Sequence, residues 1–206
     1  MGIMIALPCH GGIVNEKTTM SLFNLGKLLV RNNIPHGLLT QANSSLITHG
    51  RSKCANFFIN NTDHEYLFFL DSDIGFNPED VLRLLSHNEN IVSGTYPMKT
   101  IPIRYCVDVL QPEERKGDLL KVGGNGMGFV MIRRNVFADI AQKFPYLKYI
   151  PSTKDSNYPP TEAEMNNSYH YFAEEKIDDS FASEDKSFFY RARMSGYTHW
   201  LDTTIK

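Results

Sequence analysis

The sequence predicts an α/β fold: one domain built on a central, mostly parallel mixed sheet with helices on its faces. Three observations carry this. Residues 3–7 (IMIAL) form an unbroken apolar run stopped by Pro8 and Gly11-Gly12, the pattern of a strand buried on both faces. The first half of the chain then alternates helical and strand-like patterning, as doubly wound folds do. A second unbroken run, Tyr66 to Leu70, leads directly into Asp71-Ser72-Asp73. With 206 residues, 42% hydrophobic and 21% charged, the chain can bury a real core, and its length favours one domain.

Each element has its own signal. Between 18 and 30, Met20, Leu22, Phe23, Leu25, Leu28 and Leu29 fall at helical spacing, and Asn32-Asn33 supply a stop. Residues 36–41 (HGLLTQ) predict a short strand. Residues 50–61 place Cys54, Ala55, Phe57, Phe58 and Ile59 on an apolar helix stripe that ends at Asn60-Asn61. After the strand Tyr66 to Leu70, Asn77-Pro78-Glu79-Asp80 reads as a helix cap with proline at the first position and acids in the first turn. Residues 90–94 (NIVSG) predict the next strand. The second half changes character. It offers a strand in RYCVDV, a charged turn in QPEERKGD, and KVGGNGMGFVMIRR leading to the helix NVFADIAQKF. Residues 145–180, rich in Tyr, Pro, Asn, Ser and acids, predict a long loop of the kind that serves as a lid or binding loop. A helix over 183–194, Gly196 and a strand in THWLD complete the reading, without internal repeats or low-complexity linkers.

Charge and cysteine usage narrow the function. A net charge of -2 gives no global attraction to nucleic acid or anionic lipid, so no nucleic-acid partner is expected. Cys9, Cys54 and Cys106 are odd in number and in no metal-ligand spacing, which predicts free thiols in a reducing, cytoplasmic setting. The N-terminal apolar run lacks a basic flank and is of strand length, and Gly2 is not followed by a Ser or Thr at the sixth position. No membrane anchor is expected from either.

The chemistry gathers at the carboxylates. Asp71 and Asp73 follow a buried strand and cannot both point into the core, because an unpaired buried carboxylate is very costly. In open α/β sheets the carboxyl ends of the strands are where ligands bind, and two carboxylates there suit a hard divalent cation such as Mn²⁺ or Mg²⁺. Such an ion would bridge nucleotide phosphates and neutralise the charge of a departing diphosphate. Equally, Asp71 caps a turn and Asp73 solvates the start of the next helix. Glu184-Asp185 likewise read as first-turn acids complementing a helix dipole behind a Ser183 cap. The run Gly123, Gly124, Gly126, Gly128 suits close substrate approach, a hairpin or a bulge, but lacks the spacing of a dinucleotide fingerprint.

Four segments, in order, resemble the GT-A glycosyltransferases. FFLDSDIGFNPEDVLRLL resembles their DxD segment, THGRSKCANFFINN the helix that opens with an Arg near the donor, GGNGMGFVMIRRNVF the Gly-rich acceptor-side segment, and SEDKSFFYRARMSGYTHWLD the Glu-Asp segment. They lie between residues 48 and 202, and 145–180 is not covered. The resemblance implies a single GT-A (Rossmann-like) domain, with a nucleotide-binding half over 1–100 and an acceptor-binding half over 101–206. It implies a nucleoside diphosphate sugar donor, UDP favoured, and a glycan or glycoprotein acceptor. It places Pro8, Cys9, His10 and Gly11 by the base and ribose, Arg51 by the nucleotide or its phosphates, and Asp71, Ser72 and Asp73 at the metal and donor. Asp185 becomes the general base of an inverting transfer, with Glu184 beside the acceptor. Tyr96, Lys99 and Gly126 are further candidates for substrate contact, and Tyr96 and Lys99 also read as ordinary loop residues. Small stand-alone transferases of phages and large viruses are similar in size and plan. The third metal ligand that many members supply after the last Asp-containing strand, often a His, has no counterpart in DTTIK, and His199 lies upstream of that place. Alternatives are a retaining transferase, a nucleotidyltransferase, and a non-catalytic carbohydrate- or nucleotide-binding module.

Overall fold

The computed structural model describes residues 2–42, 44–153 and 159–205. The first half runs β1 (Ile3–Cys9), a 3-10 turn (His10–Gly12), α1 (Glu16–Arg31), β2 (His36–Ala42), α2 (Ile47–Asn61), β3 (Tyr66–Leu70), α3 (Pro78–His87) and β4 (Ile91–Ser93). The second runs β5 (Val107–Val109), β6 (Arg115–Lys116), β7 (Leu119–Asn125), β8 (Phe129–Arg133), α4 (Arg134–Lys143), a 3-10 turn (Pro145–Leu147), β9 (Lys148–Tyr149), α5 (Glu162–Asn166), β10 (Ser168–Tyr169), β11 (Glu175–Ile177), β12 (Ser180–Ala182), α6 (Glu184–Met194) and β13 (His199–Asp202).

The main sheet is mixed, in the order β2-β1-β3-β8-β4-β13-β7-β5, with β6 beside β7. β1 pairs in parallel with β2 and β3, and β13 with β4. β8 is antiparallel between β3 and β4, so all five of these parallel strands point the same way and end at one edge. Alternation sorts the strand side chains to two faces. Ile3, Ile5 and Leu7 of β1 and Tyr66, Phe68 and Leu70 of β3 meet Leu25 and Leu29 of α1 and Val81 and Leu84 of α3. Met4, Ala6, Leu67 and Phe69 meet Phe58 of α2, Phe137 of α4 and Phe188 of α6 on the other face. This is a three-layer, Rossmann-like domain, as the strand and helix patterning implied.

Helix ends follow local chemistry. Asn77 accepts from the Glu79 N–H at 3.3 Å with Pro78 at the first position, and Asn15 caps α1 by accepting from the Lys17 N–H at 2.9 Å. The C-terminus of α2 is held by a distant residue. Arg134 donates to the carbonyls of Phe58, Ile59, Thr62 and His64 at 2.7–3.0 Å.

Two stretches are organised beyond what patterning indicated. The Gly-rich run is two strands, β7 and β8, which lie apart in the sheet with β13 and β4 between them. Residues 145–180, expected as a long loop, carry two small antiparallel ribbons and a capped helical turn. Tyr171 and Phe172 from this stretch are buried in the core against Phe137 and Phe188. Arg191, also fully buried, donates to the Tyr171 and Ala173 carbonyls at 3.1 and 2.6 Å and pairs with Glu175 at 2.9 Å. Cys9 and Cys54 are buried free thiols and Cys106 an exposed one. No helix among the described residues is long and apolar enough to cross a membrane.

Candidate functional site

β3 is buried on both faces up to Leu70, so the carboxylate that follows it, Asp71, has to emerge at the strand end. Its backbone N–H donates to the Gly128 carbonyl at 3.1 Å. One carboxylate oxygen, Oδ1, accepts from Arg51 of α2 at 2.9 Å. The other, Oδ2, lies against Gly128, where a Cβ would sit 2.5 Å from it. Only glycine leaves that carboxylate its place.

Arg51 joins two elements. Its guanidinium is buried and also donates to Glu184 Oε1, the first residue of α6, at 3.1 Å. The side chains of Asp71 and Glu184 keep 30% and 17% exposure, so the two carboxylates face the solvent edge from either side of one buried cation. Such charge-assisted forks fix geometry as well as charge. Asp185, next along, does not face Arg51. The Ser183 hydroxyl donates to its Oδ1, as does the Lys186 N–H at 2.7 Å. Ser183 therefore holds an acid side chain in place of capping a backbone N–H. The Asp185 carboxylate also lies close enough to Cys106 to help raise its thiol pKa, burial being the larger cause.

Tyr96, in the segment that follows β4, closes the cluster. Its hydroxyl accepts from the Gly128 N–H at 3.0 Å and occupies the space that a Cβ at Gly126 would need. Burial, and then the Asp71 carboxylate, push its phenol pKa up, so it stays protonated and its O–H remains a donor. Asp73 is exposed and accepts from Lys99 at 2.5 Å, and this bond raises the ammonium pKa. The Ser72 carbonyl accepts from the Asn15 N–H at 2.8 Å, tying the acidic turn to the start of α1.

β1 runs beside β3 in the register Ile3–Tyr66 to Ala6–Phe69, which, continued, sets Pro8 level with Asp71, and the His10–Gly12 turn follows. Gly11 there takes a left-handed conformation, φ 65°. The Cys9 thiol is turned inward, donating to the Leu7 carbonyl at 3.2 Å within the core, and is not brought to the cluster. The His10 side chain lies outside the described residues. His199 is buried, bonded to Ser93 at 2.8 Å and stacked on Phe189, and makes no contact with the aspartates.

The donor set can be weighed for a divalent cation. It offers hard oxygen ligands: Asp71 Oδ2, which accepts no hydrogen bond among the described residues, and the exposed Asp73 carboxylate. Among the described residues no group of three His, Cys, Asp or Glu side chains gathers as a metal site. A divalent cation held by this pair would have to displace Lys99 from Asp73 and take its remaining ligands from outside the described residues.

No protein-family model matches the chain, and no curated protein matches it. Among solved structures it is similar to the crystal structure of A197 from STIV, at 20% identity and a TM-score of 0.55, covering 100% of this chain and 84% of that one. A second similar structure is 4-diphosphocytidyl-2C-methyl-D-erythritol synthase from Anaerococcus prevotii DSM 20548, at 7% identity and a TM-score of 0.41, covering 94% of this chain and 95% of that one. The likeness to A197 is one of fold.

Proposed function

We propose that the chain is a glycosyltransferase that moves a hexose-type sugar from a nucleoside diphosphate donor, UDP favoured, to a hydroxyl of a glycan or glycoprotein. The observation that carries this reading is the convergence of Asp71, Arg51 and the Glu184-Asp185 end of α6 at the carboxyl edge of the parallel strands. Asp71 and Asp73 are the residues that would hold Mn²⁺ or Mg²⁺, whose chemistry when bound is to neutralise charge on the departing diphosphate. In this reading Arg51 is the cation that meets the donor's phosphates. Pro8, Gly11 and Ser72 border the nucleotide, and Tyr96 with Gly126 and Gly128 shapes the floor beside it. Asp185 is exposed enough to meet an acceptor hydroxyl and is oriented by Ser183 and the Lys186 N–H. It takes the hydroxyl proton as that oxygen bonds to the anomeric carbon and the bond to diphosphate breaks, which gives inversion.

Calorimetric titration with UDP, GDP and TDP, with and without Mn²⁺, tests the donor half. Metal-dependent binding of one diphosphate, lost in Asp71→Asn and Asp73→Asn, is the expected result. Binding that ignores both substitutions and the metal would refute the mechanism. A second reading, a nucleotide-binding module without catalysis, draws on the fact that Arg51 and Lys99 already neutralise the two aspartates. Metal-independent diphosphate binding without donor turnover would favour it.

A further inference from the structure

The two ends of the main sheet are finished differently. At one end β5 is three residues long, carries Asp108 and is bulged between Asp108 and Val109, and the two-residue β6 beside β7 is Arg115–Lys116. Short length, charge and bulging are the means by which sheet edges are kept from pairing with other chains. At the other end β2 has none of them. It runs for seven residues, HGLLTQA, without proline, aspartate, glutamate, lysine or arginine, in unbroken parallel register with β1 from Ile3–His36 to Cys9–Ala42. β2 is the last strand of the sheet, and among the described residues no backbone hydrogen bond beyond those to β1 reaches 36–42.

The face beside that edge is apolar as well. Leu38 pairs with Ile5, whose side chain meets α1, so Leu38 stands on the α1 side of the sheet. The residues that α1 buries, Leu25 and Leu29, cluster with β1 and β3, and Leu38 beyond them is 56% exposed. α1 itself turns an apolar flank the same way. Lys17 Cβ lies against Gly75, and the Ser21 hydroxyl donates to the Phe76 carbonyl at 2.7 Å, so these two residues mark the side of the helix toward α3. At about 3.6 residues per turn, Phe23 and Val30 fall on the side turned away from them, the side of β2, and are 63% and 66% exposed.

We infer that a second copy of this chain docks here, β2 pairing antiparallel with β2 of the other copy around a two-fold axis normal to the sheet. That operation joins the two sheets into one and leaves both α1 helices on the same face. β1 spans about 23 Å and α1 about 24 Å, so the middle of α1 stands near the level of the axis. The two α1 helices then run antiparallel, with Glu16 at the start of each near Arg31 at the end of the other, which pairs opposite charges and opposite dipole ends together. β1 and its copy lie three strand spacings apart, about 14 Å, more than the roughly 8–10 Å of packed helices. The trough left between the helices is floored by Leu38 and walled by Phe23 and Val30 of both copies. One symmetric operation thus covers the open edge, the exposed leucine and the apolar flank, and leaves only the guarded β5 ends free. The carboxyl edges of the two copies point in opposite directions, so each candidate site stays open and complete within its own chain.

Sedimentation equilibrium of the whole chain over a range of concentrations, with amide hydrogen exchange followed by mass spectrometry on the same samples, tests this. The expected result is a closed monomer–dimer equilibrium in which exchange across 36–42 slows as the dimer fills. Leu38→Lys sets like charges on either side of the axis, and Val30→Lys places one in the trough from each copy. Each should weaken the dimer by about tenfold or more while leaving the circular dichroism of the folded chain unchanged. Phe181→Lys, at a site 74% exposed on the β11–β12 ribbon, should leave the dimer as it is. A chain that stays monomeric into the millimolar range overturns the inference. So does a dimer that either β2-side lysine leaves intact, or one whose 36–42 amides exchange at a rate independent of concentration, since the contact then lies elsewhere. Association that continues past two copies overturns the closed two-fold arrangement.

Discussion

Replacing Arg51 by methionine keeps the stem that packs beside Cys54 and removes the cation shared by Asp71 and Glu184. Truncating one partner of a fully buried ion pair costs about 3–5 kcal/mol, because the other charge is left uncompensated. Here the guanidinium is buried but its partners retain 30% and 17% exposure, so water recovers part of the loss. Roughly half of the buried figure, about 2 kcal/mol, is the expected cost. For a chain of this size that lowers Tm by about 4–8 °C. Urea unfolding followed by circular dichroism should show a lower midpoint with an unchanged slope. Adding Asp71→Asn and Glu184→Gln to Arg51→Met removes the orphaned charges and should restore at least half of the loss. A cost below about 0.5 kcal/mol, the level of an ordinary surface pair, would refute the argument, as would failure of the double neutralisation to restore stability.

Other substitutions separate floor, base and titrating core. Gly128→Ala puts a methyl 2.5 Å from Asp71 Oδ2 and 2.7 Å from Ile74 Cδ1, and should cost about 1–3 kcal/mol and weaken metal-dependent UDP binding; wild-type melting and binding would show that the carboxylate moves freely. Asp185→Asn should lower turnover by about 10²–10⁴-fold with UDP affinity unchanged, measured by release of UDP in the presence of acceptor. Burial pushes the His199 imidazole down to about 3 from 6.5, so the folded chain keeps it neutral while the unfolded chain takes up a proton. Stability should therefore fall as pH drops from about 6.5, by about 1.4 kcal/mol per unit from this group. His64 and His170 are displaced the same way by burial, so His199→Gln should flatten this slope without abolishing it; an identical slope in the variant would count against the buried neutral imidazole.

What the sequence disclosed depends on whether the signal was local. β3 ends where an apolar run meets a carboxylate, and α3 starts where Asn77 and Pro78 supply a cap, so both were legible to the residue. α1 begins at Glu16, earlier than its apolar periodicity, because the cap at Asn15 precedes the first buried face. In 119–133 composition indicates strands and turns but not that β8 inserts between β3 and β4, a pairing decided by residues far away. The low apolar density of 145–180 concealed that two of its aromatics complete the core under α6. At the site, Arg51, Asp71 and Glu184 each stand out singly. That one guanidinium bridges the other two, 20 and 133 positions away, has no local signature, nor does the need for glycine at 128 behind the carboxylate.

The position of β13 bears on how such a chain is made. It comes late in the sequence yet lies inside the sheet, with β4 on one side and β7 on the other. During synthesis from the N-terminus, both neighbours must wait with their facing backbone groups unpaired until His199–Asp202 has left the ribosome. Two waiting edges are templates for strands of other nascent chains. Expression at low temperature, or with a chaperone that shields extended segments, should raise the folded yield more than any substitution on the finished surface would.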